Sequence, residues 1–217
     1  MTKLQPADRR EPVRILAAVI LFAAAGAISY ILQDIYMMAP CPADLSIQEA
    51  FFSLRSEPLN TVVIALTHCG DTVTIVALCA LLLILPNRLK YGLPVSVAAL
   101  VGLAIYKPMK HIFFRSRPDQ ALHLVEQGGY SFPSGHSVTS VIVYGLLIYL
   151  IRRYCKNEKL KNILTAVCLL LALLIGPSRI YVGVHWPTDV ICGWLIGGGV
   201  LLLSVTVLER IGKNESI

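Results

Sequence analysis

Apolar residues in this chain come in long unbroken blocks separated by short polar stretches. The blocks run Ile15 to Leu32, Thr61 to Leu85, Gly92 to Phe114, Ser134 to Ile151, Ile163 to Ile175 and Thr188 to Leu208. The fifth is short and extends at its start through Leu160; Gly176-Pro177 closes it. A bilayer core about 30 Å thick takes ~20 helical residues to cross. The blocks therefore predict six membrane-spanning helices in a bundle, an all-α polytopic fold. No period-two alternation suggests a barrel, and lipid leaves helices as the way to satisfy the backbone. The first block resembles a signal-peptide core but is long for one, and further blocks follow, so it reads as a retained span. Between the first two, Leu45, Ile47, Phe51, Phe52 and Leu54 among polar residues predict a short helix lying in the interface.

Composition agrees. Of 217 residues, 56% are apolar and only 15% charged, against about 25% charged in an ordinary soluble domain. That excludes disorder and speaks against a water-soluble globule. The net charge of +6 reads as membrane topology rather than nucleic-acid binding. With the N-terminus inside, thirteen Lys and Arg fall on the cytoplasmic side and six outside (Arg55, Lys107, Lys110, Arg115, Arg117 and Arg179). Both termini are thus expected in the cytoplasm. Lys107 and Arg115 read as headgroup anchors, as do Trp186 and Trp194 at span ends. The six cysteines form no CxxC pair and read as small buried hydrophobes; a Cys41–Cys69 disulfide stays open if both face outward. Gly193 and Gly197 form a GxxxG, expected to pack inside the bundle.

Three polar patches lie at span ends on one predicted face. Lys110 and Arg117 are seven residues apart, two helical turns, before the helix-stopping Pro118. A point charge and a planar fork on one face suit an anion with several oxygens. Pro133-Ser134-Gly135-His136 opens the fourth span, where free N–H groups and the helix dipole make a phosphate cradle. Ser178-Arg179, then His185, then Asp189 four residues on, sets a carboxylate within reach of an imidazole. Such a bond fixes the tautomer and frees the other nitrogen as a nucleophile. His68 and Asp71, three apart in the second span, read as a structural interhelix hydrogen bond or a contact to the phosphate site.

Taken together, Lys110…Arg117-Pro118, Pro133-Ser134-Gly135-His136 and Ser178-Arg179…His185…Asp189 resemble the three motif blocks of the type 2 phosphatidic acid phosphatase superfamily, in order and with the internal spacings intact. The resemblance implies one membrane phosphatase domain over residues 1–217, with its motif region at 110–189. It implies that His185 attacks phosphorus to form a phosphohistidine, that Asp189 orients His185, and that His136 protonates the leaving oxygen and then activates water. It assigns Lys110, Arg117, Ser134, Gly135 and Arg179 to the phosphate oxygens. No metal and no cofactor is expected. The substrate expected is a membrane lipid phosphate or pyrophosphate, reached at the outer face of the cell membrane. Compact bacterial members acting on undecaprenyl pyrophosphate or phosphatidylglycerol phosphate are the nearest in form, and undecaprenyl pyrophosphate is favoured. No nucleic-acid partner is expected, and the chain is expected to be a monomer or weak homodimer. Alternatives are a phosphotransferase using the same phosphoenzyme and a lipid transporter with a degenerate site. The vanadium haloperoxidases share the residue pattern but are soluble.

Overall fold

The computed structural model describes residues 10–214 as a helical bundle, with no strand among them. The helices are α1 (Arg10–Asp34), α2 (Pro42–Ser53), α3 (Glu57–His68), α4 (Thr72–Ile84), α5 (Gly92–Phe113), α6 (Gly135–Tyr154), α7 (Glu158–Tyr181) and α8 (Pro187–Asn214). Five of them, α1, α5, α6, α7 and α8, are long and apolar enough to cross a membrane; α3 and α4 form a sixth candidate as a pair bent by 47°. Alone, α4 with its 13 residues reaches only about 20 Å, short of a bilayer core.

Because both faces of these helices are apolar, size rather than polarity marks the packed side. In α1 the buried residues are Ala18, Ala25, Ser29 and Leu32, one stripe, while Val13, Leu16, Val19 and Ile20 face outward. At the centre of the bundle, α8 presents glycines to two neighbours. Gly193 and Gly197 lie against the backbone of α6, and Gly198 and Gly199 against Leu21 and Phe22 of α1. The GxxxG therefore serves internal packing. At the far end from α2, Arg14 pairs with Glu209 at 2.8 Å and Arg210 pairs with Glu11, tying α1 to α8.

Three local expectations change. The second span is not one helix: it breaks at Cys69-Gly70-Asp71, where the Tyr144 hydroxyl donates to the Cys69 carbonyl at 2.7 Å. Gly70 is required there, since a Cβ would lie 2.6 Å from Ile175 Cγ2 and 2.9 Å from His136 Cδ2. The fifth span does not end at Gly176-Pro177: α7 continues to Tyr181 and carries Ser178 and Arg179 in its last turns. Proline removes one backbone donor there, but Gly176 is pressed against the Trp194 ring and Val190, and that packing holds the helix together. The predicted interfacial helix exists as α2, yet it buries Asp44 and Gln48 instead of only resting on apolar residues. Cys41 and Cys69 are free thiols.

Replacing Gly193 by Ala would set a Cβ 2.8 Å from the Ser134 carbonyl oxygen and from Ser137 Cβ, in a wall that cannot yield. Gly198→Ala meets only a flexible Leu21 methyl at 3.1 Å. Thermal unfolding in detergent should show Gly193→Ala destabilised by about 1–3 kcal/mol and Gly198→Ala close to wild type. Equal stability of the two variants would contradict this account of the α6–α8 contact.

Candidate active site

The motif residues converge at one end of the bundle, drawn from the end of α5, the start of α6, the end of α7 and the turn into α8. Lys110, Arg117, Gly135, His136 and His185 line one cavity of about 380 Å³, together with Gln127 of the 115–133 loop. The same cavity continues between α4 and α5 as an apolar trough lined by Ile75, Val76, Leu83, Leu100 and Leu103.

His185 is 2% exposed and sits in the turn before α8. Its Nδ1 is 3.2 Å from Asp189 Oδ2, and an Arg117 amine is 3.2 Å from its Nε2. A guanidinium can only donate, so Nε2 accepts and the ring proton is on Nδ1, donated to Asp189. Burial, with the charges of Arg117 and Lys110 nearby, pulls the His185 imidazole well below its ordinary 6.5. It is therefore neutral at physiological pH, with its Nε2 lone pair engaged by Arg117. Asp189 lies in the first turn of α8, and its Oδ2 also accepts the Trp186 N–H at 3.0 Å, closing the helix start locally.

The cationic wall is built from different backbone contexts. Arg117 donates to the carbonyls of Gly129 at 2.9 Å, Tyr130 at 3.1 Å and Val184 at 2.6 Å. Burial lowers its guanidinium to about 10, so it remains charged at neutral pH. Lys110 donates to the carbonyls of Tyr130 at 2.8 Å and Ser131 at 3.0 Å. Both thereby pin the 128–131 segment over the cavity. Arg179, 1% exposed, donates to Thr67 Oγ1 at 2.8 Å and Gln127 Oε1 at 2.6 Å, while its Nε has no acceptor among the described residues. A buried guanidinium N–H without an acceptor is costly.

Three of the predicted site residues, Ser134, Arg179 and Asp189, do not line the cavity. Ser134 is fully buried and its hydroxyl caps α6, accepting from the Ser137 N–H at 3.4 Å and the Ser137 hydroxyl at 2.9 Å. Gly135 does line the cavity, and a Cβ at Gly135 would lie 2.8 Å from the Tyr106 ring. The Ser134 cap thus fixes the start of α6, where the first amides are free of intrahelical partners.

Arg115 overturns its reading as a headgroup anchor. It is fully buried, bonded at 2.6 Å to Asp189 Oδ1 and at 2.6 Å to Asp44 Oδ2, and it donates to the Met38 carbonyl at 3.1 Å. Asp44 further accepts from the Thr188 amide and hydroxyl, each at 2.9 Å. Trp186, also expected as an anchor, is buried and donates its Nε1–H to the Ser116 carbonyl at 2.9 Å. Nothing local to α2 marked Asp44 as a site residue: the helix also carries Glu49, Ser46 and Gln48, so one more polar residue was no signal. Asp71, flagged beside His68, proves to contact the site: its Oδ1 is 2.8 Å from His136 Nε2.

This arrangement defines a class, a helical membrane protein with a cavity lined by cations and two histidines and an apolar trough at one end. A family model for the PAP2 superfamily matches residues 91–213, and the chain belongs to that superfamily. It is 32% identical over 162 residues to the phosphatidylglycerophosphatase B of Bacillus subtilis, covering 71% of this chain and 78% of that one. It is also 32% identical over 164 residues to an undecaprenyl-diphosphatase of Sulfolobus acidocaldarius, covering 73% and 75%. The crystal structure of a transmembrane PAP2-type phosphatidylglycerolphosphate phosphatase from Bacillus subtilis superimposes with a TM-score of 0.78 at 27% identity, over 89% of this chain and 96% of that one.

Replacing Arg115 by Met removes the cation shared by two buried carboxylates. Stranding buried charge in this way costs about 3–5 kcal/mol, so Arg115→Met protein should lose most of its thermal stability in detergent. Removing one of the two stranded carboxylates with Asp44→Asn in the same chain should recover part of the loss. A single variant as stable as wild type would show that the buried network is not structural.

Proposed function

We propose that this protein is a membrane lipid phosphatase that removes the terminal phosphate of a lipid phosphate or lipid pyrophosphate through a phosphohistidine, at the outer face of the membrane. The observation that carries the reading is the single cavity in which cations and two histidines meet an apolar trough. A lipid can lay its tail between α4 and α5 while its phosphate reaches Lys110 and Arg117 on the cavity wall. A water-soluble ester would gain nothing from the apolar wall. The names of the relatives, phosphatases of phosphatidylglycerol phosphate and of undecaprenyl diphosphate, support the lipid class.

In this mechanism a phosphoryl oxygen takes over the Arg117 N–H, which frees the His185 Nε2 lone pair to attack phosphorus. The P–N bond forms as the bond to the lipid oxygen breaks, and that oxygen takes a proton from His136. Asp189 balances the charge that appears on His185. Water then attacks the phosphohistidine, giving a proton back to His136, and the P–N electron pair returns to Nε2. Lys110, Arg117, Arg179 and the α6 amides neutralise charge on the phosphoryl oxygens, each such donor being worth about 3–4 kcal/mol in related chemistry. These cations do the work that a divalent metal does elsewhere, so the reading is metal-independent. Undecaprenyl pyrophosphate is the favoured substrate, because a departing phosphate is a weaker base than an alkoxide and the short loops leave little to grip a large headgroup.

Purified protein should release phosphate from a prenyl pyrophosphate faster than from phosphatidic acid, be inhibited by vanadate and be unaffected by EDTA. His185→Ala should reduce turnover to background, and Asp189→Asn should slow it on the order of 10³-fold or more, by analogy with other carboxylate–histidine pairs. Robust turnover by His185→Ala protein, or a clear preference for a soluble ester, would sink the proposal. For sidedness, a cysteine placed at Gln120 should label with an impermeant thiol reagent on intact cells above the background of the native thiols, and one at Asn157 should not. The reverse pattern would place the site on the cytoplasmic face.

A further inference from the structure

The break in the second span places a carboxylate against the histidine that opens α6. Asp71 Oδ1 is 2.8 Å from His136 Nε2, and Asp71 Oδ2 is 2.6 Å from His68 Nδ1. The two residues of the Asp71–His136 pair lie 65 positions apart in sequence, and the backbone around the break is built for the contact. Gly70 gives the clearance against His136 Cδ2, Tyr144 holds the Cys69 carbonyl, and the Thr74 hydroxyl holds the His68 carbonyl at 2.7 Å. A continuous helix through residues 68–72 would forgo all of this. The motif blocks that pointed to the site contain neither Asp71 nor His68.

We propose that Asp71 is a positioning residue for His136, acting through the Nε2–H···Oδ1 bond to aim Nδ1 into the cavity and to balance the charge His136 carries when it holds the proton it donates. This rests on the phosphatase reading above. A carboxylate accepts only, so its bond to Nε2 assigns the Nε2–H tautomer to the neutral ring. Nδ1 is then the atom that exchanges protons, and it has no partner among the described residues. Arg179 and Arg117 lie within electrostatic range of the same ring; Asp71 supplies the opposite charge that lets an imidazolium form beside them. His68 occupies the other carboxylate oxygen and so sets the rotamer of Asp71. The proton moves from His136 Nδ1 to the leaving oxygen as the phosphorus–oxygen bond breaks and P–N forms at His185, and it returns from water in the second half. Asp71 itself neither gains nor loses a proton.

The readout is the dependence on leaving-group basicity, measured as kcat/KM so that only the first half-reaction counts. One ester is a short-chain phosphatidic acid, whose alkoxide must be protonated as it leaves. The other is the phosphate monoester of an alkyl-substituted nitrophenol, whose phenolate leaves unaided. General acid catalysis contributes about 10²–10⁴-fold, so Asp71→Asn is expected to lose about 30-fold or more on phosphatidic acid and less than about 3-fold on the aryl ester. His136→Ala should show the same split, and Asp71→Asn on that background should add nothing. Equal losses on both esters, or additive losses in the double variant, would overturn the proposal. If wild-type protein releases phosphate from neither ester nor from a prenyl pyrophosphate, the phosphatase reading fails and takes the proposal with it; turnover of the pyrophosphate alone, with no ester hydrolysed, would overturn the acid role of His136 that the proposal assigns. A measurement on wild-type protein, independent of how the variants fold, is ¹⁵N-histidine NMR at a pH where the rings are neutral, with the His136 signal assigned by its loss in His136→Ala. An Nε2–H tautomer is expected; an Nδ1–H tautomer would overturn the assignment.

Discussion

A carboxylate sealed inside a membrane bundle must have its charge answered, and Asp189 is answered by Arg115. The guanidinium lies between Asp189 and Asp44, each 2.6 Å away and all three side chains fully buried. Removing water from such groups is expensive, and the attraction repays it only when every donor and acceptor is used. The Met38 carbonyl, the Thr188 hydroxyl and amide and the Trp186 amide use what remains. The network ties α2, the chain after α1, the exit from α5 and the start of α8 into one joint. His185 hangs from that joint through Asp189, so the orientation of its imidazole follows from the stability of the fold at this end.

The opposite wall of the cavity is made by a different device. Here a span is interrupted: α3 stops, Gly70 passes close to His136, and α4 resumes as the apolar wall of the trough. The interruption lets one segment serve two solvents, a polar turn at the depth of the histidines and a short apolar helix below it. Irregular backbone at membrane depth is tolerated where it is enclosed by protein, and Tyr144, Thr74 and Ile175 enclose this one. The two histidines are thus each backed by a carboxylate, Asp189 for His185 and Asp71 for His136. Their surroundings differ: Asp189 is sealed and paired to arginine, whereas Asp71 is half-buried and shared with the exposed His68.

Helical periodicity and hydropathy suffice for what is local. The placing of most spans follows from block lengths, and the His185–Asp189 contact follows from a spacing of four across a helix start. The clustering of Lys110, Arg117, Gly135, His136 and His185 was legible as three motif blocks. Pro177 misled because helix-breaking is a local tendency, and the packing of Gly176 against Trp194 outweighs it. Arg115 and Trp186 misled because a cation or an indole at a span end has the same sequence signature whether it faces lipid headgroups or the protein interior.

What the sequence determined by itself is therefore the all-helical membrane architecture and the residues brought to one end of it, since both depend on period and order along the chain. What only the tertiary structure decided is which charges are sealed and with whom. Asp44 meets Arg115 across 71 residues, Arg115 meets Asp189 across 74, and Asp71 meets His136 across 65. Such pairings carry no spacing rule. They are settled by which side chains lose water together when the helices close, and that depends on the shape of the whole bundle.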